Sequence, residues 1–533
     1  MNLRYLLLFV ISISFIFSCA RRGRPTGGPI DEDRPIMVKA VPDFGSTNFS
    51  SDEIKIYFDE YIKLKNFNSQ FIVSPPLKYP PIITPQGTPS KFITIKIKDT
   101  LLENTTYTFN FGQSVIDNTE GNILDNFKYI ISTGDYIDSL KVSGTIKDAR
   151  ELEINEDIVV MLYEINDEYN DSIIFDQKPM YVGALKDSIH FEITNIKAGD
   201  YALVALNDVS KNYKYNPKGD KIGFYKDIVT APTTDTTYNL VLFNEILPFR
   251  LPKKPMEANK GHLLFAYEGN ADSLKVEPYS KTGIDFSSFA NFDKVKDTLH
   301  YWFTGYERDS IEFIVKNKGF LDTVNIKLRE ENIDSLVLSQ GIRSVLDLRD
   351  TLNITTNIPV SKVDTSKINF LDIDSVKVAY MYNLNSSKNK LYLEFEKKHD
   401  SKYTLQALPG TVTDIFGVQN DTLNMNFSTK RPANYSSIYV NLMNVKQYPI
   451  IVDLINERGN IEASFYAESQ HEIKFVNISP SRYMVRITYD TNANKKWDTG
   501  NYLNKEQPEE VYYFTTIIEA KANWEVNETL TIQ

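Results

Sequence analysis

The sequence predicts an all-β protein made of antiparallel β-sandwiches in series, and three observations carry that prediction. Apolar residues alternate with polar ones over many short runs, turn-forming clusters separate the runs, and no stretch sustains a helical period. Ile93, Ile95 and Ile97 alternate with Thr94, Lys96 and Lys98, and Val324, Ile326 and Leu328 with Asn325, Lys327 and Arg329. Leu391, Leu393 and Phe395 alternate with Tyr392, Glu394 and Glu396. A period of two places one face of a strand in a core and the other in water. Clusters such as Asn118-Thr119-Glu120-Gly121-Asn122 and Lys218-Gly219-Asp220 supply the turns. At 533 residues the chain exceeds what one core serves, so several domains are expected. With a single cysteine no internal disulfide is available, and burial has to stabilise each domain.

The first element in chain order is an address. Residues 1–18 read as a signal peptide: Arg4 precedes an apolar run from Tyr5 to Phe17, shorter than the about 20 residues a membrane span needs. Ile16-Phe17-Ser18-Cys19 resembles a lipobox, which makes Cys19 the expected lipidation site and mature N-terminus. Residues 19–36 then form a tether, because Arg24-Pro25-Thr26-Gly27-Gly28-Pro29 disfavours any regular element. Arg21, Arg22 and Arg24 either lie against anionic headgroups or stay solvated.

An internal repeat divides the remainder. Tyr201 lies seven residues before Asp208, with Asn195-Ile196 upstream and Asn212 four beyond the Asp; Tyr483, Asp490, Asn477-Ile478 and Asn494 repeat that spacing. A second pair links Tyr107-Thr108, Asp117 and Ser132-Thr133 to Tyr403-Thr404, Asp414 and Ser428-Thr429, with Gly121 and Gly417 in the turns. The map is therefore type A (37–135), type B (138–245), a sandwich of unassigned type (250–340), type A again (343–432) and type B again (436–533).

Further residues carry a family resemblance. Cys19-Ala20, Gly23-Arg24-Pro25-Thr26-Gly27-Gly28-Pro29, Val41-Pro42 and Ile54-Lys55-Ile56-Tyr57-Phe58-Asp59-Glu60-Tyr61 resemble the Ig-like-domain lipoproteins of the phylum Bacteroidota. Ser74-Pro75-Pro76, Tyr107-Thr108-Phe109-Asn110-Phe111-Gly112 and Ser132-Thr133-Gly134-Asp135 continue the match, and Trp497-Asp498-Thr499-Gly500-Asn501-Tyr502 extends it to the C-terminal region. Type A is similar to the bacterial Ig-like domain of surface-layer proteins, and type B to prealbumin-like sandwiches. The resemblance implies a lipid-anchored outer-membrane protein with a structural or binding role and no known reaction. Surface display in that phylum often follows an acidic stretch after the cysteine. Ala20-Arg21-Arg22 departs from it, so the periplasmic and outer leaflets both stay open.

Charge and motifs narrow the function classes. A net charge of −11 without a long basic run excludes a nucleic-acid surface. The five histidines are scattered, and there is no Gly-x-Ser-x-Gly elbow or phosphate loop, so no catalytic residue is expected. The metal candidate is calcium at Asp490, Asn492, Asn494 and Asp498, whose alternating oxygen donors resemble the first half of a calcium loop. Lys495 stands where that loop needs Gly and Asn501 where it needs Glu, so a polar hairpin satisfying its own backbone is the alternative. No other cofactor is expected. Asp-Ser/Thr-aliphatic triplets recur, as at Asp187-Ser188-Ile189 and Asp334-Ser335-Leu336; they fit capped strand entrances and resemble an O-glycosylation sequon of the same phylum. Expected partners are the membrane, through the lipid, and a protein or glycan. A carbohydrate- or protein-binding component of an uptake or secretion complex is the alternative function. Exposed faces on Trp302, Trp497 or Trp524 would favour it, and burial would make them core residues.

Overall fold

In the computed structural model, which describes residues 31–154, 158–232, 237–293, 295–342 and 344–532, strands make up nearly all regular structure. Helix among the described residues is confined to the short turns Phe67–Gln70, Ile173–Asp176, Thr365–Lys367 and Pro432–Asn434. The predicted alternation is realised: Ile93, Ile95 and Ile97 are buried while Lys96 and Lys98 are exposed.

The strands form five two-layered units. The first packs Met37–Val41, Glu53–Leu64, Ser90–Lys96 and Ile82–Thr84 against Ile72–Ser74, Thr106–Gly112 and Phe127–Ser132, with Ile54, Ile56, Phe109 and Tyr129 in its core. In the second, a sheet ordered Tyr181–Ala184, Ile158–Glu164, Gly199–Asn207, Lys221–Phe224 faces one ordered His190–Ile196, Leu140–Asp148, Tyr238–Leu242. The third (Met256–Asn259 to Phe320–Lys327) and fourth (Leu338–Gln340 to Leu423–Thr429) have their own cores, around Phe265 and Phe313 and around Leu393 and Leu405. The fifth orders Ile461–Ala467, Ile450–Asn456, Ser481–Tyr489, Val511–Ala520 over Glu472–Ile478, Ser436–Met443, Glu525–Thr531.

The second and fifth units share one topology. Counting strands within each, both have one sheet ordered 3-2-5-6 and a second in which the first strand lies between the fourth and the last. That second sheet is 4-1-8 in the second unit, where Val229–Ala231 is an added short strand paired with Gly199–Asn207, and 4-1-7 in the fifth; in both the last strand is parallel to the first. These parallel pairs, and a short one between Val345–Leu346 and Leu423–Thr429, depart from purely antiparallel pairing. In the second and fifth units they arise where the strand that opens the unit and the strand that closes it lie side by side. Tyr201 and Tyr483 occupy corresponding strands, and each hydroxyl donates to the carbonyl four residues back, Lys197 at 3.0 Å and Ser479 at 2.6 Å. Asn195 and Asn477 both take positive φ, 61° and 55°, a conformation Asn tolerates better than most residues.

The first and fourth units also repeat each other in detail. The Tyr107 hydroxyl accepts the Leu102 N–H at 2.8 Å, and that of Tyr403 the Lys398 N–H at 2.9 Å. The Thr133 hydroxyl donates to Leu102 O, and the Thr429 hydroxyl to Lys398 O.

In space the units do not follow one another as beads. The first is fastened to the second by Thr106 Oγ1 donating to Asp138 Oδ2 and Lys178 Nζ to Leu77 O. The second meets the third through Lys218 and Glu268, 3.0 Å apart. Trp302 of the third is closed over by Val360 and Val412 of the fourth, and Arg349 of the fourth binds Glu462 of the fifth. The fifth then returns to the second, so units two to five close a ring.

Candidate functional site

The Asp490 loop is built by rules that its twin at Asp208 shares. Each follows the fifth strand of its unit. Residues three and five beyond the Asp take positive φ in both: Lys211 and Tyr213 (54° and 61°), Ala493 and Lys495 (58° and 65°). The Asp carboxylate caps the turn, Asp208 Oδ2 accepting the Tyr213 N–H at 2.6 Å and Asp490 Oδ2 the Lys495 N–H at 2.8 Å. Asp490 Oδ1 also accepts the Asn494 N–H at 3.0 Å, and the residue is 1% exposed. Asn212 and Asn494 then accept the N–H two residues on, from Lys214 and Lys496.

A second acid closes each loop. Asp220 accepts the N–H groups of Val209 at 3.1 Å and Asn216 at 2.8 Å. Glu509 accepts the corresponding ones, from Thr491 at 2.6 Å and Asp498 at 3.1 Å. Burial raises the Asp220 carboxyl above its ordinary range, and the Asn216 and Val209 N–H groups offset part of that rise.

The loops differ in what lies before the closing acid. Three residues separate Asn216 from Asp220, whereas ten separate Asp498 from Glu509. The extra length is a hairpin, pinned by reciprocal Asn501 and Glu506 backbone bonds, that inserts into the second unit. Tyr502 is 1% exposed and meets the Phe224 ring edge-on at 5.4 Å. Its N–H donates to Glu245 Oε1 at 2.6 Å, while Glu245 Oε2 accepts the hydroxyl of Tyr215, from the short loop, at 2.7 Å. Glu245 thus binds both loops. Thr499 Oγ1 donates to Asn244 O, Gln507 Nε2 to Phe224 O, and Lys505 pairs with Asp171 at 2.5 Å. A Cβ at Gly500 would stand 2.7 Å from Phe243 Cζ and 2.5 Å from Glu506 O, so only Gly fits there.

Of the residues singled out from the sequence, Asn492, Asn494 and Asp498 come together: both Asn side-chain amides donate to Asp498 Oδ2, at 2.6 and 2.5 Å. Asp490 lies behind them, its oxygens taken by backbone. The side chains therefore satisfy the hairpin from within. Cys19 lies outside the described residues. Among the described residues no group of three or more His, Cys, Asp or Glu could hold a metal ion, and no helix is long and apolar enough to cross a membrane. Trp302 is buried, and Trp497 packs against the second unit under the Arg150 guanidinium while its Nε1 donates to Glu509 O. Trp524 is half exposed with Lys521 over its ring. Sequence reasoning missed Glu509, Asp220 and Glu245. The insertion hides the equivalence of the first two, and Glu245 has no local pattern at all.

The fold and its loops define a multidomain all-β protein whose units interlock. Residues 31–133 match the family model of the bacterial Ig-like domain. Among curated proteins none matches the sequence. Similar solved structures include the S-layer protein SbsC, residues 31–844, at 12% identity over 90% of this chain and 66% of that one, with a TM-score of 0.16. The chain thus spans just under two thirds of that protein's solved length. Others are the Bacillus anthracis TIE protein (10% identity, 95% and 76% covered, TM-score 0.14) and the major pilin subunit BcpA of Bacillus cereus (10%, 74% and 99%, 0.15).

Proposed function

We propose that this is a non-enzymatic protein of the bacterial cell envelope, lipid-anchored at Cys19 in the outer membrane, that presents a closed ring of β-sandwiches as a structural scaffold. The observation that carries the reading is the Asp490–Glu509 loop. Its polar side chains are spent on its own backbone and on the second unit, which is the use a rigid scaffold makes of such groups. The bacterial Ig-like match over residues 31–133 supports the envelope setting, and the lipobox-like run ending at Cys19 supports the anchor. Stable anchoring takes two lipid signals, since one acyl chain is marginal. The test is fractionation of Cys19→Ala: the variant is expected in the soluble fraction. Retention in a form that only detergent extracts would overturn the anchor.

A binding role in an uptake or secretion complex is favoured by one feature, a groove of about 360 Å³ between the first and second units. Phe67, Phe71, Pro76 and Pro81 line one wall, and Ile158 and Tyr213 the other. Affinity purification from native membranes with wild type and Phe71→Ser separates the readings. A protein or glycan lost only from the variant supports binding, and identical recoveries leave the scaffold.

A further inference from the structure

The third unit carries a histidine pair that the proposed function does not use. His262 and His300 stand on one face of the neighbouring strands His262–Ala266 and Thr298–Thr304, where His262 lies opposite Trp302 and His300 opposite Leu264. His262 Nε2 and His300 Nδ1 are 2.9 Å apart. The ring centroids are 5.1 Å apart and the planes within 18°. That centroid separation is the nitrogen separation plus a ring radius at each end. The rings therefore meet edge to edge with these two nitrogens pointing at each other.

Such a contact holds one proton. One imidazole donates N–H and the other accepts through its lone pair. The neutral pair satisfies this, and so does the singly charged pair. A second proton puts hydrogens on both facing nitrogens and positive charge on both rings, and the contact has to break.

The pair sits where breakage has a consequence. Both imidazoles stack on the Trp302 indole, His262 at 4.6 Å and 4°, His300 at 5.4 Å and 18°. Trp302 is 3% exposed, covered by Leu336, Ile358, Val360 and Val412 from the connection and the fourth unit. The charged groups facing the pair are few. Asp334, on the connection, acts on His262, and Asp293 and Lys296 act on His300. From the fourth unit Lys388 lies 5.5 Å over Phe289, the neighbour of Trp302 on the next strand. Burial holds both imidazoles below the usual histidine range. For His262 the charge on His300 adds to it, and the carboxylates offset part of the effect, leaving His262 at about 4.

We infer that His262 and His300 form a proton-operated latch between the third and fourth units, shut while the pair shares one proton and released when both rings are protonated. The direction follows from linkage: an imidazole freed from Trp302 binds protons more readily than a latched one, so acid favours the released state. The latch is closed above pH 6.5, the ordinary value, and opens as the pH falls toward about 4.

The test uses the full chain. Histidine-selective NMR follows the five imidazoles from pH 7.5 to 4, small-angle scattering follows molecular size, and circular dichroism follows strand content. The expected result is that His262 and His300 titrate as a coupled pair below the usual histidine range, with a rise in radius of gyration at the same pH and strand content unchanged. His262→Gln keeps a side-chain amide toward His300 and removes the second charge, so the rise should move down by at least one pH unit or vanish; His300→Asn serves if that variant folds poorly. Independent titration of the two rings near 6.5 overturns the latch. So does full protonation at constant size, or expansion only with loss of strand signal.

Discussion

Asp220 and Glu509 hold the same pair of backbone amides in two different units, one and eight residues beyond a capping Asp, although one acid reaches them over three intervening residues and the other over ten. Removing either carboxylate leaves two backbone donors without their acceptor, and for Glu509 the Thr491 hydroxyl as well. Glu509→Ala and Asp220→Ala should each cost about 1–3 kcal/mol, the penalty for unpaired buried polar groups. Glu509→Gln, which retains one carbonyl acceptor, should cost less than Glu509→Ala. Urea midpoints with unchanged slopes are the measurement. A midpoint equal to wild type for Glu509→Ala would sink the equivalence.

Tyr502 tests the ring. Its side chain is buried against Phe224, so Tyr502→Ala should cost about 3–5 kcal/mol, as for other large aromatic truncations in cores. Replacing residues 499–508 by the three-residue stretch Pro217-Lys218-Gly219 should keep the Glu509 closure yet detach the fifth unit from the second. Scattering should then report a larger particle with intact strand content, and an unchanged particle would mean that other contacts close the ring.

Asp117 and Asp414 stand at matching places in the first and fourth units and should respond to pH with opposite sign. Burial acts to raise Asp117, but its oxygens accept four N–H groups, from Thr119, Glu120, Gly121 and Asn122, and the carboxyl ends below its ordinary value. Its stabilisation is present above the unfolded value of 3.8 and is lost as pH falls through the lowered one. In Asp414, burial wins over the N–H groups of Phe416 and Val418, and the carboxyl is raised. The folded state then holds a proton more tightly, so this group's contribution weakens as pH rises from 3.8 through the raised value. Asp117→Asn should make stability fall less on acidification, and Asp414→Asn should make it fall more. Unfolding free energies from pH 3 to 7 decide; slopes that change in the same direction would contradict the assignment.

Calcium would have to displace hydrogen bonds that Asp490 and Asp498 already accept, so any effect should be weak at the Asp490 loop. Asp490 and Asp498 are its only carboxylates among Asp490, Asn492, Asn494 and Asp498, so affinity should lie at roughly 10⁻⁴–10⁻³ M. Thermal unfolding with millimolar calcium should show a small rise over chelator, abolished in Asp498→Ala. Equal midpoints for wild type would leave the hairpin as a polar clasp.

Much of the fold was legible because its restraints are short in sequence. The alternation at Ile93, Ile95 and Ile97 reports a half-buried strand directly. The Tyr201 and Tyr483 spacing is visible because each hydroxyl bonds four residues back and each upstream Asn supplies a positive φ. The candidate loop was half legible. Asn492, Asn494 and Asp498 converge as their spacing suggests, but Glu509 is displaced by the inserted hairpin, and Glu245 acts on Tyr502 from 257 residues away. The role of Trp302 was equally hidden, since burial between units leaves no local pattern.

The Tyr502 hairpin also decides how the molecule would respond to being pulled. Along the chain, tension between the first and fifth units would have to pass through the third and fourth. With the hairpin seated, it crosses directly from second to fifth through the Tyr502–Glu245, Thr499–Asn244 and Gln507–Phe224 bonds. The third and fourth units then hang as a slack loop beside the taut path. They extend only once the hairpin slips, which gives the chain a short, stiff regime followed by a long, compliant one.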